Sequence, residues 1–308
     1  MPRILITGAT GFIGRYLIKY FIDKGFQIIA HGSSNESINK LKSHLLNNNI
    51  DFKNIDFWQQ NFLDNEWDFP NFLKINNIIH CAAATKVREG TIENYDKYFS
   101  LNVLATKKLA KKALNADIDH FIHLSTGQVY GIPPSFPFTE DTPKTPINLY
   151  GFTKLMGENI ILSFGILGLT YTIVRPFSVY GKGQHNILSI IKNKIMNDET
   201  LTIFGDGTQS RAFTHVNDIC EAIGIILNNQ RCFGEEYNLS GTKEYSINEL
   251  VKFFSKKLKK RPKIVYKEAN VNELKRNIAD TSKIQRLEFK FRKSLEKFIE
   301  NELIKLNS

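Results

Sequence analysis

Hydrophobic residues follow two rhythms along the first half of the chain. Residues 3–7, RILIT, form a short apolar run without polar alternation, the pattern of a strand buried on both faces of a parallel sheet. After a cluster of glycines comes FIGRYLIKYFIDKG, where apolar residues recur at helical spacing until Gly25 closes the stretch. The same switch repeats. FQIIAH (26–31), NNIIHCAAA (76–84), HFIHLST (120–126) and LTYTIVRP (169–176) read as strands, the last ended by Pro176. Helical stretches fall between them, notably over 91–115 and 147–165. This alternation predicts an α/β fold, a Rossmann-like doubly wound parallel sheet with its strand C-termini along one ligand-binding edge.

Beyond Pro176 the pattern loosens into glycine-rich turns (YGKGQ, FGDGTQ), with helices expected over 186–197, 214–228, 246–260 and 292–305. The expected division is a first domain of residues 1–175 plus about 212–240, and a smaller C-terminal lid of 176–211 and 241–308. No internal repeat or low-complexity segment interrupts it.

Composition narrows the class. In 308 residues, 42% hydrophobic content suffices for a substantial core. The most apolar region, Ile160 to Val174, is interrupted by Ser163, Gly165 and Gly168, so it reads as a helix end and a strand rather than a membrane span. MPRILITGATG meets glycines too early for a secretory signal, and a cytoplasmic location is expected. Cys81, Cys220 and Cys232 form no C-x-x-C pair and have no histidine at metal-ligand spacing, so reduced thiols and no metal are expected. The formal charge of +10 resides in residues 252–308, with 17 Lys or Arg against 7 Asp or Glu. Aromatics are not interleaved there in a stacking pattern, which argues for a solvated basic face that attracts small anions rather than a nucleic-acid surface.

Candidate chemistry begins with GATGFIG, between the first strand and the first helix. Gly8 permits the tight turn, Gly11 lets a pyrophosphate approach the backbone, and Gly14 lets helix and strand pack closely. Thr10, Phe12 and Ile13 complete the turn and the helix N-terminus, whose N–H groups favour phosphate. At the end of the second strand the chain reads AHGSSN, with His31 where an NAD site usually places Asp or Glu. Ser33 and Ser34 offer hydroxyls to a 2′-phosphate, and Arg15 lies nearby in sequence, so NADP is favoured over NAD.

LYGFTK places Tyr150 and Lys154 one helical turn apart, and Thr126 ends the strand HFIHLST upstream. A phenol ordinarily titrates near ~10. A neighbouring ammonium and a cationic nicotinamide would both favour its phenolate. With Thr126 bonded to the same substrate oxygen, the three suit proton transfer at a carbinol while hydride moves at the adjacent carbon.

With these parts in order, the chain resembles the extended short-chain dehydrogenase/reductases, the nucleotide-sugar epimerase/dehydratase family. The resemblance runs through TGATGFIG, HCAA, LNVLATKKL, LSTGQVYG, YGFTK, VRPFSVYGKGQ, FGDGTQSRAFTHVNDI, YNLSG and ADTSKI. It implies Thr126, Tyr150 and Lys154 as the catalytic set, with Lys154 also binding the nicotinamide ribose. Asn61 and Phe62 take the adenine edge, although Asp is usual where Asn61 stands. Ala82 and Ala83 line the cofactor, Asn102 supports the active-site helix, and Pro176 lies at the nicotinamide. A homodimer through the 91–115 and 147–165 helices is implied as well, with no membrane partner and no nucleic acid.

Departures from the family pattern set the expected reaction. Where sugar 4,6-dehydratases carry an Asp-Glu pair after the threonine, this chain has Gly127 and Gln128, which cannot ionise. A 4-reductase acting on a nucleoside-diphosphate 4-keto-6-deoxysugar is the leading expectation. A 4-epimerase with tightly bound NAD is the alternative, and a non-catalytic dinucleotide sensor is the reading from another class. On the substrate side, Arg211 matches the family's diphosphate-binding arginine, Lys267 stands where an arginine is common, Arg276 lies nearby, and Ser178 replaces a common Asn. Glu140 and Asp141, in FTEDTPKTPINLY, are expected to be turn and capping residues.

Overall fold

The computed structural model describes residues 2–70, 74–133, 135–269 and 274–304. The chain divides into two compact units. One comprises Met1–Gly131, Pro143–Arg175 and Cys220–Tyr237; the other comprises Ile132–Thr142, Pro176–Ile219 and Asn238–Ser308.

The first unit is built on a sheet whose strands are β1 (Arg3–Thr7), β2 (Gln27–Gly32), β3 (Ile55–Gln59), β4 (Asn77–His80), β5 (His120–Leu124) and β6 (Tyr171–Pro176). Its order runs β3-β2-β1-β4-β5-β6 and ends at strand Glu235–Leu239. Neighbours from β3 to β6 pair in parallel. The order reverses direction at β1, and the crevice beyond the C-termini of β1 and β4 is where such sheets bind ligands.

Helices α1 (Phe12–Asp23) and α2 (Asn35–Leu46) follow β1 and β2; α3 (Tyr95–Phe99), α4 (Ala105–Asn115) and α5 (Leu149–Ile166) follow further along. Leu5, Ile29, Ile78, Phe121 and Ile173 from the sheet close into one core with Leu109, Ala110 and Ala113 of α4 and Ile161 of α5. Sheet residues buried on both faces explain why β1, β4 and β5 read as unbroken apolar runs.

The 91–115 helix is not continuous. After short 3-10 turns come α3, a π-helical segment over Ser100–Leu104 and then α4. The π segment accommodates Asn102, whose side chain bonds outside its own helix; widened turns of this kind often mark functional positions. The sequence reading did not find the edge strand Glu235–Leu239, nor α2 and β3. In α2 the buried stripe is only Ile38, Leu41 and Leu45 in a polar stretch, and β3 reads IDFWQ with mixed exposure.

The second unit gathers small sheets and helices around its own core. Leu188, Ile191 and Ile195 of helix Ile187–Met196 meet Leu250, Val251 and Phe254 of helix Ile247–Leu258, with Ile203 and Phe298 filling between them. The latter helix starts at a reciprocal cap, with Ser246 and Glu249 each bonding the other's backbone N–H, and ends at Lys259 in the left-handed region. The expected 292–305 helix is a single α turn, Leu295–Phe298, continued as a π segment.

Candidate active site

The glycine turn closes as its spacing demands. Gly8 has φ +65, and a Cβ there would lie 2.8 Å from the Ala82 nitrogen; one on Gly14 would lie 2.4 Å from the Gly8 oxygen. Helix α1 begins at Gly11 with no side-chain cap and no acid in its first turn, so its N-terminal N–H groups keep their affinity for an anion. Thr10 is half-buried beside this turn, and Phe12 and Ile13 open the helix. On the other side of the turn, Thr7 Oγ1 accepts from the N–H groups of Cys81 and Ala82 at 3.1 and 3.2 Å, binding the C-terminus of β1 to that of β4. Ala82 and Ala83 are half-buried there. This donor set and the small residues around it fit a dinucleotide.

His31 does not stand at the edge of the turn. It is 3% exposed, which removes it from any direct ribose contact. Gly8 N–H donates to its Nδ1 at 3.1 Å, so Nε2 carries the proton and donates to Gln60 O at 2.8 Å. Its ring stacks on Phe62 at 4.1 Å, and Phe62 stacks in turn on Trp67 at 4.6 Å. Burial holds the imidazole at about 4, so it stays neutral. His31 is a clamp on the glycine turn, and the strand ends instead at Gly32, where a Cβ would press on Thr10 and Ser37. Ser34 is the N-cap of α2 and accepts from Ser37 N–H, which commits the oxygen expected to serve a phosphate. Ser33 is exposed. Asn61 Oδ1 accepts from Leu63 N–H and shapes the turn before Phe62.

The catalytic candidates gather at the C-terminus of β5 and the start of α5. Thr126 Oγ1 accepts from Gln128 N–H at 3.2 Å and hydrogen-bonds with the Tyr150 hydroxyl. Burial pushes the Tyr150 phenol up to about 12, with the Thr126 bond acting against it. Gln128 Oε1 accepts from Asn148 Nδ2 at 3.1 Å, and Asn148 Oδ1 caps α5 by accepting from Gly151 N–H at 2.8 Å. The helix end that carries Tyr150 is thereby tied to the Thr126 loop. Glycine after Tyr150 is required here, because a Cβ on Gly151 would lie 2.5 Å from Gln128 O. Ser125 Oγ, buried next to Thr126, has no partner among the described residues.

Lys154 is 2% exposed. Its ammonium donates to Leu124 O at 2.6 Å and faces His123 Nε2 at 3.4 Å. Burial lowers it to about 8, with Glu158 and Cys81 opposing that shift. Asn102 donates to Ala84 O and to Thr153 Oγ1 and accepts from Ala84 N–H, so it secures the stretch of α5 between Tyr150 and Lys154. Deeper still, Arg175 donates to both Glu158 oxygens at 2.9 and 2.8 Å and to the Tyr130 hydroxyl at 2.8 Å, and pairs with Glu236. Burial works against its charge, but Glu158 overrides it and raises the guanidinium further.

Pro176, expected at the nicotinamide, is the last residue of β6, and the substrate candidates Ser178, Arg211, Lys267 and Arg276 all lie in the second unit. Arg211 is half-buried and donates to Ser210 O at 2.8 Å. Arg276 pairs with Glu244, which also accepts from Ser210 Oγ, and its guanidinium lies 4.6 Å from the centre of the Phe136 ring. Arg211 also holds Glu244 below the usual carboxylate range, after Arg276 and Ser210. Lys267 ends an exposed strand, and Ser178 has φ +34. Glu140 and Asp141 are the central residues of a turn closed by Thr142 N–H donating to Thr139 O at 3.1 Å, as expected, and the Glu140 carboxylate also accepts from Asn238 N–H at 2.8 Å.

The residues missed by sequence reasoning are His123, Gln128 as a tether, and His31 as a clamp. Only Gln128 left a trace, through its place directly after the Thr126–Gly127 pair.

The model of the NAD dependent epimerase/dehydratase family matches residues 4–240. The UDP-glucuronate 4-epimerase of Thermodesulfobacterium geofontis is 31% identical over 93% of this chain and 90% of its own length. A dTDP-glucose 4,6-dehydratase of Streptomyces niveus is 27% identical over 80% of this chain and 75% of its own. Among solved structures, UDP-glucuronic acid 4-epimerase from Bacillus cereus, in complex with UDP-glucuronic acid and NAD, superposes with a TM-score of 0.86 at 27% identity, covering 97% of this chain and 96% of that one.

Proposed function

The chain belongs to the NAD dependent epimerase/dehydratase family, and on that premise we propose that it inverts C4 of a UDP-sugar with NAD as a retained cofactor. One observation carries the choice of reaction. Tyr150 and Thr126 form a hydrogen-bonded pair, while Gly127 and Gln128 beside them cannot ionise. Such a pair exchanges a proton at a single sugar oxygen. Elimination of water needs a second acid and base that these positions do not supply.

A nicotinamide bound beside Lys154 would supply the hydride acceptor and donor for the sugar C4. The chain's own residues handle the proton. Thr126 fixes the sugar O4, Tyr150 accepts its proton as the carbonyl forms, and the same phenol returns it as the alcohol is restored. Lys154 supplies the positive charge that stabilises the phenolate and holds the nicotinamide ribose. Gly8, Gly11 and the α1 N-terminus take the pyrophosphate. Arg211 is assigned to the substrate diphosphate, with Arg276 becoming available when it leaves Glu244.

Two expectations give way. Net reduction by external NADPH rested on the end of β2, where His31 proves to be a buried clamp and Ser34 a helix cap. Relatives bound to NAD and acting as 4-epimerases support the alternative. The reductase reading keeps one observation, the absence of a carboxylate at Gly32–Ser34.

The test is to unfold the purified protein and identify the released cofactor, then incubate the native enzyme with UDP-glucuronate and UDP-glucose and follow the H4 coupling by NMR. NAD release and C4 inversion without net NADH support the reading. NADPH consumption by a 4-keto sugar, without inversion of either UDP-sugar, overturns it.

A further inference from the structure

Lys154 poses a problem that its helix does not solve. A buried ammonium has three N–H donors and needs acceptors. The nearest carboxylate on its own helix, Glu158, is one turn away, and both of its oxygens already accept from Arg175. Leu124 O takes one donor at 2.6 Å, and the side chain that faces the ammonium is His123, with Nε2 at 3.4 Å.

The tautomer of His123 follows from this contact. A charged Lys154 only donates, so Nε2 must accept and the ring proton must sit on Nδ1. That atom is buried without a partner among the described residues. His80, whose ring centre lies 5.4 Å away, is arranged the other way. Thr7 Oγ1 already accepts two N–H groups, so its own hydrogen goes to His80 Nδ1 at 2.7 Å, and His80 Nε2–H donates to Thr106 Oγ1 at 3.0 Å. Nothing comparable secures His123 in its tautomer except the lysine. Gly157 is held to glycine by the π segment, since a Cβ there would lie 2.9 Å from Asn102 O, while its 3.5 Å to His123 Nε2 would be an ordinary contact.

We infer that His123 is a positioning residue for Lys154: its Nε2 accepts from the ammonium, holds it against the end of β5 and sustains its charge. The pairing itself stands on this geometry; its consequence for catalysis rests on the proposed role of Lys154. The titratable and charged groups around Lys154 and His123 are Tyr150 and Glu158 on α5, Cys81 after β4, His80 on β4 and Arg175 on β6. Of these, Glu158 and Arg175 neutralise one another, and His80 and Cys81 are uncharged through burial. His123 is likewise held neutral, well below its ordinary range, by burial and then by Lys154.

The experiment reads the lysine directly. Protein carrying lysine labelled with ¹³C at Cε is titrated by NMR, with the Lys154 resonance identified by its loss in Lys154→Met. His123→Phe should lower the Lys154 midpoint by about one pH unit, the scale of a lost charge-assisted hydrogen bond. His123→Leu gives the same comparison with a smaller side chain. His123→Gln, a neutral acceptor of similar reach, should restore the midpoint to within a few tenths. The alkaline limb of kcat/KM should move by the same amounts, with KM for the sugar nucleotide unchanged. An unshifted midpoint in both apolar variants, or a glutamine variant that behaves like them, overturns the pairing. If the midpoints shift as stated but the wild-type protein inverts no UDP-sugar, the pairing stands and the proposed reaction fails. If the wild type inverts sugar and the midpoints do not move, the reverse holds.

Discussion

His31, His80 and His120 lie as deep in the first unit as His123, and burial holds all four below the ordinary histidine range. The first three share one arrangement. Each accepts at Nδ1, from Gly8 N–H, the Thr7 hydroxyl or Asn228 N–H, and each donates from Nε2, to Gln60 O, Thr106 Oγ1 or Thr172 Oγ1. His123 alone among these four carries its proton on Nδ1, has no partner there among the described residues, and turns its free lone pair to a lysine. The closed arrangements fix backbone. They hold the glycine turn to β2, β1 to β4, and β5 to the loop around Asn228. The open one lies under the residues assigned to catalysis, where a fully satisfied network would leave Lys154 only the backbone acceptor Leu124 O. Buried polar groups that are fully partnered rigidify a structure, and a partly satisfied one deserves a functional explanation.

The sharpest way to test the open region is at its outer end. Tyr150→Phe removes one hydroxyl from the Thr126–Tyr150 pair and should lower turnover about 10³-fold, with the NAD content of the purified protein unchanged. Turnover within tenfold of wild type would move the proton chemistry elsewhere.

The closed region breaks differently. His31→Leu leaves Gly8 N–H and Gln60 O without their present partner, at about 1–3 kcal/mol for each orphaned group. Cofactor retention and thermal stability should both fall, while kcat at saturating NAD stays within about twofold. A drop in kcat with cofactor affinity intact would place His31 in the chemistry and erase the contrast.

Acid should act on the closed region as a whole. His31 and His120 are held at about 4, below the ordinary value of about 6.5. Between these limits the unfolded chain binds more protons than the folded one, so stability present above about 6.5 is lost as pH falls toward about 4. Melting temperature should therefore fall between about pH 7.5 and about pH 5, measured by scanning calorimetry, and a flat profile would mean these rings are not held neutral.

The smallest expected effect tests a tether within the catalytic region. Gln128→Ala unties Asn148 from the Thr126 loop but leaves the Asn148 cap on Gly151 intact. It should cost about 1 kcal/mol, read as a severalfold loss in kcat with little change in melting temperature. Equal losses in both would make Gln128 a general stabiliser.

Much of this was legible in the residues. The strands that position the turn and the Thr126 loop announce themselves as unbroken apolar runs, because a parallel sheet covered on both faces leaves no polar alternation. Glycine spacing located the dinucleotide turn, and the Tyr150–Lys154 interval located the start of α5. The π segment at Asn102 was hidden, because a widened turn keeps nearly the helical period while redirecting a single side chain. The roles of His31 and His123 were hidden for a different reason. Each depends on a contact across the sheet or between sheet and helix, and a histidine in an apolar run reads the same whether it clamps backbone or faces an ammonium. Reading His31 as the strand-end residue placed the end of β2 one residue early, since Gly32 ends it.

The central claim is that hydride leaves C4 and returns to the same carbon while Tyr150 relays the proton at O4. It is tested most directly by giving the enzyme a UDP-sugar deuterated at C4 and examining the product by NMR. The account predicts a C4 epimer that keeps its deuterium at C4, formed without net change in absorbance at the nicotinamide band. Loss of that deuterium to solvent, or a product lacking the elements of water, would contradict it.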